Sequence, residues 1–598
     1  MKPVTVEQSF PLTVPPEKVW PFISDTDRMN RRLGLKGVQY TQIDEGTRTG
    51  ARLSGQTRLG GFLTHYEEQP WEWVWTRGLS VRRDFQGSPI EWLEVQYRVE
   101  PKDGASLLKV TMSAQPRLAL MRPVVWINLT QAVGGIARLV EEIEAFVRSG
   151  APSPFSVPRA PVDPVGLQRG LAELKKRGVA EPIANKLEKL IIEASDADCV
   201  RLRPFEVADQ WGEDRRAVLV AFLHAVPAGL LEMRWSLVCP SCRTSAAEVP
   251  TLEDISPEGH CNQCDINFDA ELDRAVEAGF KPVPAVRVVP PLLFCAAGPA
   301  RTPHVLVQQN VRMGETKTLL APPQPSRYTL FARGGARASL EVESNGPQEA
   351  TVRMLDDKLE PADVFLGPWG TLNVINASGE HRHVKIEKQE YASAAVTAHY
   401  LSTVSEFRSL FSRDLLKRGT PLKVSRVSLL FTDLTGSTQL YATVGDAAAF
   451  RFVDDHFDVL REAIAQAGGT VVKTMGDAIM AAFVDDATAA RAAVACLEGF
   501  GAWRRKTPQA EGVELKVGLH GGPCYVVTAN GSLDFFGQTV NVAARLQGLA
   551  GAGELVLEPQ VLEQLPPEVR AKLELGDAFE AQVKGVPHPV RVYRARLK

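Results

Sequence analysis

Four cysteines in two close pairs are the sequence feature that most restricts how this chain can fold. Each pair is a Cys-x-x-Cys, and 18 residues separate the two pairs, which consist of Cys239, Cys242, Cys261 and Cys264. Each such turn directs two thiolates to one ion, and two turns complete a closed tetrahedral zinc site. The pattern predicts a zinc ribbon over residues 239–264 that holds a structural Zn²⁺. Redox chemistry at one pair is a weaker alternative, because it leaves the second pair unexplained.

The chain is too long for a single hydrophobic core. Its 598 residues predict about four domains around the ribbon. Composition and periodicity indicate a multidomain α+β protein. The predicted segments are an α+β domain at 1–150, a proline-rich linker at 151–164, a helical region with the ribbon at 165–280, an antiparallel β-sandwich at 281–390, a helix within 391–420 and a further α+β domain at 421–598.

The helix predicted from Ala392 to Lys417 has one apolar stripe, because its apolar residues recur at spacings of three and four. This stripe leaves two interpretations open. The helix either packs on its own domain, or it forms a dimer with a second copy and transmits signals into the last domain.

Charge and hydropathy exclude several classes of function. The chain has 68 Lys and Arg against 71 Asp and Glu, a net charge of −3, which argues against a dedicated nucleic-acid binder. No segment reaches the roughly 18 consecutive apolar residues of a membrane span. The first residues also lack the apolar stretch of a secretory signal. We therefore expect a cytoplasmic protein with no nucleic-acid partner and no membrane span.

The first 150 residues combine an opening strand, a short amphipathic helix, further strands and a long closing helix, which we expect from about Ile127 to Ser149. Together with the segment Pro-Glu-Lys-Val-Trp at 16–20, this order resembles the helix-grip fold of the START and polyketide-cyclase-like superfamily. The resemblance implies a pocket for an apolar small molecule between sheet and helix. The alternative is that the tryptophans of this section fill the core, among them Trp71, Trp73 and Trp75.

The C-terminal section places a carboxylate beside a turn that suits phosphate. An apolar strand at 427–431 runs into a small polar turn at 432–438, whose backbone N–H groups can bind phosphate oxygens. Asp433 in this turn would repel phosphate unless a cation lies between them. Asp477 lies in a second strand–turn–strand segment, and the two carboxylates together predict a two-metal clamp. The residues that we assign to phosphate binding are Thr435, Gly436, Ser437 and Thr438.

Four segments of this section resemble the class III nucleotidyl cyclases. They are Phe-Thr-Asp-Leu-Thr-Gly-Ser-Thr at 431–438, Lys-Thr-Met-Gly-Asp at 473–477, Val-Gly-Leu-His at 517–520 and Asp-Phe-Phe-Gly-Gln-Thr-Val-Asn-Val-Ala-Ala-Arg at 534–545. The resemblance implies a ferredoxin-like α+β fold, with active sites that form only between two such domains.

The resemblance also implies roles in metal binding and catalysis. Asp433 and Asp477 would bind two Mg²⁺ or Mn²⁺ ions, with help from the backbone carbonyl of Leu434. Asn541 would orient the ribose, and Arg545 would stabilise charge on the α-phosphate. Asn541 and Arg545 are four residues apart, so on one helix they share a face.

Further residues would bind the nucleotide. The resemblance assigns Lys473 and Asp534 to the adenine edge and Lys584 to the terminal phosphates. Lys473 can donate to adenine N1 and Asp534 can accept from the 6-amino group, whereas guanine reverses these donors and acceptors. A mismatch of this kind is strongly selective, so we expect ATP to be preferred over GTP.

The sequence therefore predicts an adenylate cyclase that converts ATP to 3′,5′-cyclic AMP and pyrophosphate. One chain contains every residue type that the composite site needs, so a homodimer would have two identical sites. The upstream domains would regulate it in intracellular signalling, and an apolar ligand in the first domain would provide one input. A guanylate cyclase, and a catalytically silent protein that binds nucleotide or senses a ligand, are the alternatives.

Overall fold

Five β-sheets organise the part of the chain that the structure describes, and each is built from runs of alternating or continuous apolar residues. This computed structural model describes residues 2–42, 53–59, 62–150, 153–155, 160–290, 294–295, 297–389, 391–436, 445–584, 586 and 588–598. Within these ranges, no helix has both the length and the apolar character that a membrane span needs.

The N-terminal domain packs one long helix against an antiparallel sheet. Its elements are β1 Val4–Leu12, α1 Pro16–Ile23, α2 Thr26–Arg32, β2 Gln39–Gln42, β3 Leu53–Leu59, β4 Phe62–Glu68, β5 Glu72–Val74, β6 Gly78–Gln86, β7 Ile90–Lys102, β8 Ala105–Pro116 and α3 Arg122–Ser149. Strands β1, β8, β7 and β6 pair in this order, and β4, β3 and β2 branch from β6. The buried side of α3, which includes Val133, Ile136 and Val140, shares a core with the sheet. This order of elements is the one expected for a helix-grip domain.

Two tryptophans of this domain are fixed inside its core. Trp71 and Trp73 are each 4% exposed. The indole N–H of Trp71 donates to Glu68, and that of Trp73 donates to the carbonyl of Val305, both at 2.8 Å. Both side chains therefore fill the core, and the indole of Trp73 also binds the domain to its neighbour.

The middle domain combines five helices with the predicted ribbon. Its elements are α4 Pro164–Lys176, α5 Glu181–Glu193, α6 Asp196–Cys199, α7 Pro204–Trp211, α8 Arg215–Ala225, β9 Leu231–Val238, β10 Ser245–Val249, β11 Glu258–Cys261, β12 Ile266–Asp269 and β13 Val276–Pro282. Strands β10, β9 and β13 form one antiparallel sheet, and β11 and β12 form a hairpin. The helices and the larger sheet share a core that includes Leu187, Phe222 and Trp235.

Residues 305–388 form two sheets around one core, as in a sandwich, but the sandwich is not purely antiparallel. The strands are β14 Val305–Val311, β15 Thr316–Leu320, β16 Ser326–Ala332, β17 Arg337–Val342, β18 Glu349–Met354, β19 Leu359–Glu360, β20 Asp363–Leu366, β21 Thr371–Asn376 and β22 Arg382–Lys388. The pairs β17–β20 and β18–β21 are parallel, so the antiparallel prediction is wrong for them. The chain passes through the other sheet between the members of each pair, and such a crossover allows parallel pairing.

The sandwich and the N-terminal domain share one continuous sheet. Strand β14 pairs with β22 of the sandwich on one side and with β5 of the N-terminal domain on the other. In the second pairing, Val307 lies opposite Val74 and Gln308 lies opposite Trp73. Backbone hydrogen bonds therefore join two domains that the sequence analysis treats as separate.

The prediction of a single helix from 392 to 417 is wrong. The segment instead contains two short helices, α9 Ala398–Ser402 and α10 Ser405–Leu410. Between them, the hydroxyl of Thr403 donates to the carbonyl of Tyr400, and Val404 has extended backbone angles. A side chain that bonds to a nearby carbonyl competes with a continuous helix. The predicted apolar stripe bends into the core of the middle domain, so the long dimer-forming helix is absent from this described segment.

The C-terminal domain is a nine-stranded sheet with helices on both faces. Its elements are β23 Leu422–Thr435, α11 Asp446–Gln466, β24 Thr470–Met475, β25 Ala478–Phe483, α12 Asp486–Arg504, β26 Glu514–Ala529, β27 Ser532–Phe536, α13 Gln538–Leu549, β28 Glu554–Leu557, α14 Pro559–Glu563, α15 Pro567–Ala571, β29 Leu573–Leu575, β30 Phe579–Ala581 and β31 Val590–Leu597. The strand order is β24-β25-β23-β26-β28-β31-β29, with β27 on β26 and β30 on β31.

The two faces of this sheet belong to different cores. Side chains such as Leu430 point to the face covered by α11 and α12. Side chains on the opposite face, including Phe431 and Met480, belong to the same core as Leu401 of α9 and Phe407 of α10. The middle domain therefore packs directly on the sheet of the C-terminal domain.

Phe407→Ala tests this shared core. Phe407 is 1% exposed, stacks on Phe411 with ring centroids 5.3 Å apart and meets Trp235 edge-on at 6.0 Å. Removal of a buried phenylalanine side chain typically costs about 3–5 kcal/mol. We expect a lower urea midpoint for the full-length variant, followed by circular dichroism. Ser409→Ala changes an exposed residue of the same helix and is the control. An unchanged midpoint for Phe407→Ala would contradict the shared core.

Candidate active site

The two carboxylates predicted to bind cations lie at neighbouring strand ends. Asp433 is near the end of β23, and Asp477 lies in the turn between β24 and β25. Strands β23 and β25 pair as far as Thr432 and Ile479. Asp433 directly follows one member of this pair, and Asp477 comes two residues before the other. Gly476 has a φ of +65°, which suits the tight turn at this point.

The surroundings of these carboxylates suit a bound cation. Asp433 Oδ2 lies 3.1 Å from Lys516 Nζ and accepts a hydrogen bond from Gln547 at 3.3 Å. Asp477 Oδ2 is buried and has no hydrogen-bond partner among the described residues. A buried carboxylate oxygen without a partner is costly, and a cation would remove that cost. Two carboxylates with the nearby carbonyl of Leu434 are an oxygen donor set that fits Mg²⁺ or Mn²⁺.

The predicted phosphate turn is described only in part. Thr435 and Gly436 belong to the described residues, whereas Ser437 and Thr438 lie outside them. The hydroxyl of Thr435 accepts from the backbone N–H of Glu514 at 3.0 Å and donates to its carbonyl at 3.3 Å. This side chain ties β23 to β26, which argues against a direct role of its hydroxyl in phosphate binding.

Lys473 and Asp534 are in direct contact. Lys473 Nζ donates to Asp534 Oδ2 at 2.7 Å, and the two side chains are 39% and 16% exposed. Asp534 Oδ1 also accepts from the backbone N–H of Phe535 at 2.8 Å, which fixes the carboxylate. Lys473 pairs with the buried Met480 across β24 and β25, so it points to the face shared with the middle domain. A donor and an acceptor thus lie side by side where a ligand can reach them.

Helix α13 presents the two predicted catalytic side chains. Asn541 and Arg545 are one turn apart and both are exposed, while Val542 and Leu546 are buried in a small core. The helix lies directly on β26, because a Cβ at Gly518 would be only 2.2 Å from the backbone nitrogen of residue 547. The absence of a side chain at position 518 therefore allows the helix to lie this close to the sheet.

Lys584 lies between β30 and β31, and its side chain is exposed. The preceding residue, Val583, is buried in the same core as Val542 and Leu546 of α13. The lysine is therefore anchored next to the helix that carries Asn541 and Arg545.

Two neighbours of the carboxylates were missed by the sequence analysis. Lys516 lies opposite Asp433 in the pairing of β23 with β26, and Gln547 reaches it from α13. The signal for Lys516 is a polar residue between two buried ones, Leu515 and Val517, but its partner depends on the strand register. Gln547 follows the last motif by two residues and carries no signal of its own.

The four ribbon cysteines converge on one point. Their sulfur atoms all lie within 4.8 Å of one another, and all four side chains are buried. Lys385 of β22 is also buried and its Nζ lies 3.1 Å from Cys264 Sγ, so a positive charge from the sandwich faces the sulfur cluster. Four buried sulfurs at this spacing fit a tetrahedral Zn²⁺. The sequence gives no signal for Lys385, because it is 121 residues from Cys264.

Three parts of the chain match known families. Residues 421–595 match the family described as the adenylate and guanylate cyclase catalytic domain. The C-terminal domain belongs to that family. Residues 3–143 match a family described as polyketide cyclase, dehydrase and lipid transport, and residues 167–292 match a family of unknown function, DUF5939. A nucleotidyl cyclase domain thus follows a polyketide-cyclase-like domain in this chain.

The similar proteins include curated adenylate cyclases. An adenylate cyclase of Anabaena cylindrica is 30% identical over 186 residues, which cover 29% of this chain and 37% of that protein. Adenylate cyclase 2 of Rhizobium meliloti (strain 1021) is 29% identical over 212 residues, or 32% of this chain and 57% of that one. The chain therefore spans less than two thirds of either relative. The crystal structure of the adenylyl cyclase CyaB from P. aeruginosa is 24% identical, with 30% of this chain and 96% of that chain covered and a TM-score of 0.26.

Proposed function

We propose that the protein is an adenylate cyclase that converts ATP to 3′,5′-cyclic AMP and pyrophosphate at a site shared by two copies of the chain. The observation that carries this proposal is the 2.7 Å contact of Lys473 with Asp534 in a nucleotidyl cyclase domain. The similarity of the chain to adenylate cyclases supports the same choice of substrate.

Recognition of adenine requires one donor and one acceptor next to each other. Lys473 would donate to adenine N1, and Asp534 would accept from the 6-amino group. Guanine presents a donor and an acceptor in the reverse order, so both side chains would lose their partners. Without nucleotide, the two side chains form an ion pair with each other. Lys584 would bind the terminal phosphates.

The remaining side chains serve the reaction itself. Asp433, Asp477 and the Leu434 carbonyl would hold two divalent cations, whose chemistry is to lower the pKa of the ribose 3′-hydroxyl and to neutralise phosphate charge. Arg545 adds positive charge at the α-phosphate, where negative charge grows as the 3′-oxygen attacks. Asn541, one turn away, orients the ribose so that the attack is in line with the departing pyrophosphate.

Exposed apolar residues near the site support a second copy as the partner. Met475 is 43% exposed, Tyr525 45% and Phe536 70%, and the last two lie opposite each other on β26 and β27. Exposed apolar side chains beside a polar cleft are typical of an interface. One copy would supply the metal-binding carboxylates, and the other would supply the base-recognition pair and the α13 side chains. A symmetric homodimer then has two equivalent sites.

The upstream domains would control this reaction. The four cysteines would hold a structural Zn²⁺, because a closed set of four sulfurs leaves no position for substrate. The match of residues 3–143 to a family that includes lipid transport supports an apolar ligand for the N-terminal domain.

Cyclase activity of the purified chain tests the proposal. With Mn²⁺ we expect cyclic AMP from ATP, and a kcat/KM for GTP that is lower by at least about 100-fold. Asp477→Ala should lower the rate by at least about 1,000-fold, because the site would lose a metal ligand. Asp458→Ala, which changes an exposed carboxylate on α11, is the matched control. A preference for GTP would favour the guanylate cyclase alternative. Nucleotide binding without turnover would favour the alternative of a catalytically silent protein.

Mixing of inactive variants tests the shared site. Asp477→Ala and Arg545→Ala homodimers should both be inactive. A 1:1 mixture should regain about a quarter of the wild-type rate, since half of the dimers are mixed and each has one intact site. Asp433→Ala mixed with Asp477→Ala should stay inactive, because both changes affect the metal-binding side. Stable mixed dimers of the first pair without activity would refute the arrangement.

Metal analysis tests the cysteine site. The purified chain should contain about one zinc per chain. Cys261→Ser should lose most of this zinc and melt at a lower temperature, because metal binding contributes to folding. Cys496→Ala changes a buried cysteine of the C-terminal domain and should keep the zinc. A zinc-free wild-type protein with four reactive thiols would contradict the assignment.

A further inference from the structure

Helix α10 brings an arginine of the segment before the cyclase domain to the backbone of the base-recognition residues. Arg408 follows the buried Phe407, which anchors this helix in the core of the middle domain. Its Nη2 donates to the carbonyl of Leu533 at 2.7 Å and reaches the carbonyl of Val472 at 3.4 Å. These carbonyls belong to the residues directly before Asp534 and Lys473.

The two strands that Arg408 reaches are not paired with each other. Strand β24 pairs with β25, and β27 pairs with the far half of β26. Three strands of the sheet, β25, β23 and β26, separate them in the pairing order. The relative position of Lys473 and Asp534 therefore depends on contacts across the face of the sheet, and Arg408 is placed at that point.

The surroundings of Arg408 keep its side chain charged and limit its movement. Burial lowers the pKa of Arg408, and the carboxylate of Asp534 opposes this effect. Guanidinium groups stay protonated in proteins, so Arg408 keeps its charge close to the pair. Its Nη1 is buried and has no hydrogen-bond partner among the described residues. The two hydrogen bonds of Nη2 limit the movement of this planar cation.

We infer that Arg408 is a positioning residue for base recognition, which holds β24 and β27 at the spacing that lets Lys473 and Asp534 read adenine together. This inference rests on the proposed function. It also makes the choice of nucleotide depend on the position of α10, and hence on the middle domain.

A second arginine offers a matched control. Arg216 of α8 donates to the carbonyl of Gly468 at 3.3 Å and pairs with Glu406 at 3.3 Å. It therefore also fastens the middle domain to the cyclase domain, but it contacts the turn before β24 and not the base-recognition residues. A loss of docking alone should affect the Arg216 and Arg408 variants alike.

Kinetics of the full-length variants test the inference. We expect Arg408→Ala to lower the ratio of kcat/KM for ATP over GTP by about tenfold, mainly through a higher KM for ATP, as for the loss of one charged hydrogen bond. Arg408→Lys can still donate to both carbonyls and should restore most of the ratio. Arg216→Ala should leave the ratio unchanged. An unchanged ratio in a folded Arg408→Ala protein would overturn the inference.

Amide hydrogen exchange provides a readout that needs no activity. Peptides that cover 470–475 and 532–536 should exchange about tenfold faster in Arg408→Ala, because both strands lose their bridge. In Arg216→Ala, the peptide at 532–536 should exchange as in the wild type. Normal exchange at both peptides in Arg408→Ala would overturn the inference even in a protein that makes no cyclic nucleotide. An inactive wild type with the predicted exchange would instead refute only the proposed function.

Discussion

The packing of the middle domain on one face of the cyclase sheet is the constraint on which the rest of the structure depends. Phe431 and Met480 of the sheet and Leu401 and Phe407 of the preceding helices belong to a single buried core. Apolar side chains that are removed from water in this way stabilise the contact. The cyclase domain therefore folds against its upstream neighbour, and the face that carries Lys473 is shared with that neighbour.

The same principle of shared structure extends toward the N-terminus. Strand β14 continues the N-terminal sheet into the sandwich, and the indole of Trp73 donates across this junction. Lys385 then joins the sandwich to the sulfur cluster of the middle domain through Cys264. Four thiolates around a bound Zn²⁺ would have a net negative charge, and a lysine from another domain would offset part of it, so the ribbon would order the junction as well as itself. Each domain of the chain is thus in structural contact with the next.

The sequence predicted the grouping of the four cysteines but not the contacts between distant segments, for physical reasons. The Cys-x-x-Cys spacing encodes a turn within a few residues, so the closeness of Cys239 to Cys242 could be expected, and two such turns predict one shared site. The contact of Lys516 with Asp433 depends on strand register, which no single segment encodes. The prediction of one helix from 392 to 417 is wrong for a related reason. Its apolar spacing was real, but Thr403 breaks the helix and the buried side chains satisfy a neighbouring core instead of a second copy.

The position of α10 has a consequence for how such a chain could be controlled. A regulatory signal must change the free energy of the reacting geometry, and it needs a physical contact to do so. The base-recognition pair lies on two strands that are separated in the sheet. The distance between its two side chains is therefore less rigidly fixed than the distance between residues of one hairpin. Arg408 contacts both strands from an upstream helix whose position is set by the middle-domain core. A small shift of that core would therefore act first on nucleotide recognition. The metal-binding carboxylates would respond only indirectly, because they lie at the end of β23 and in the turn between β24 and β25.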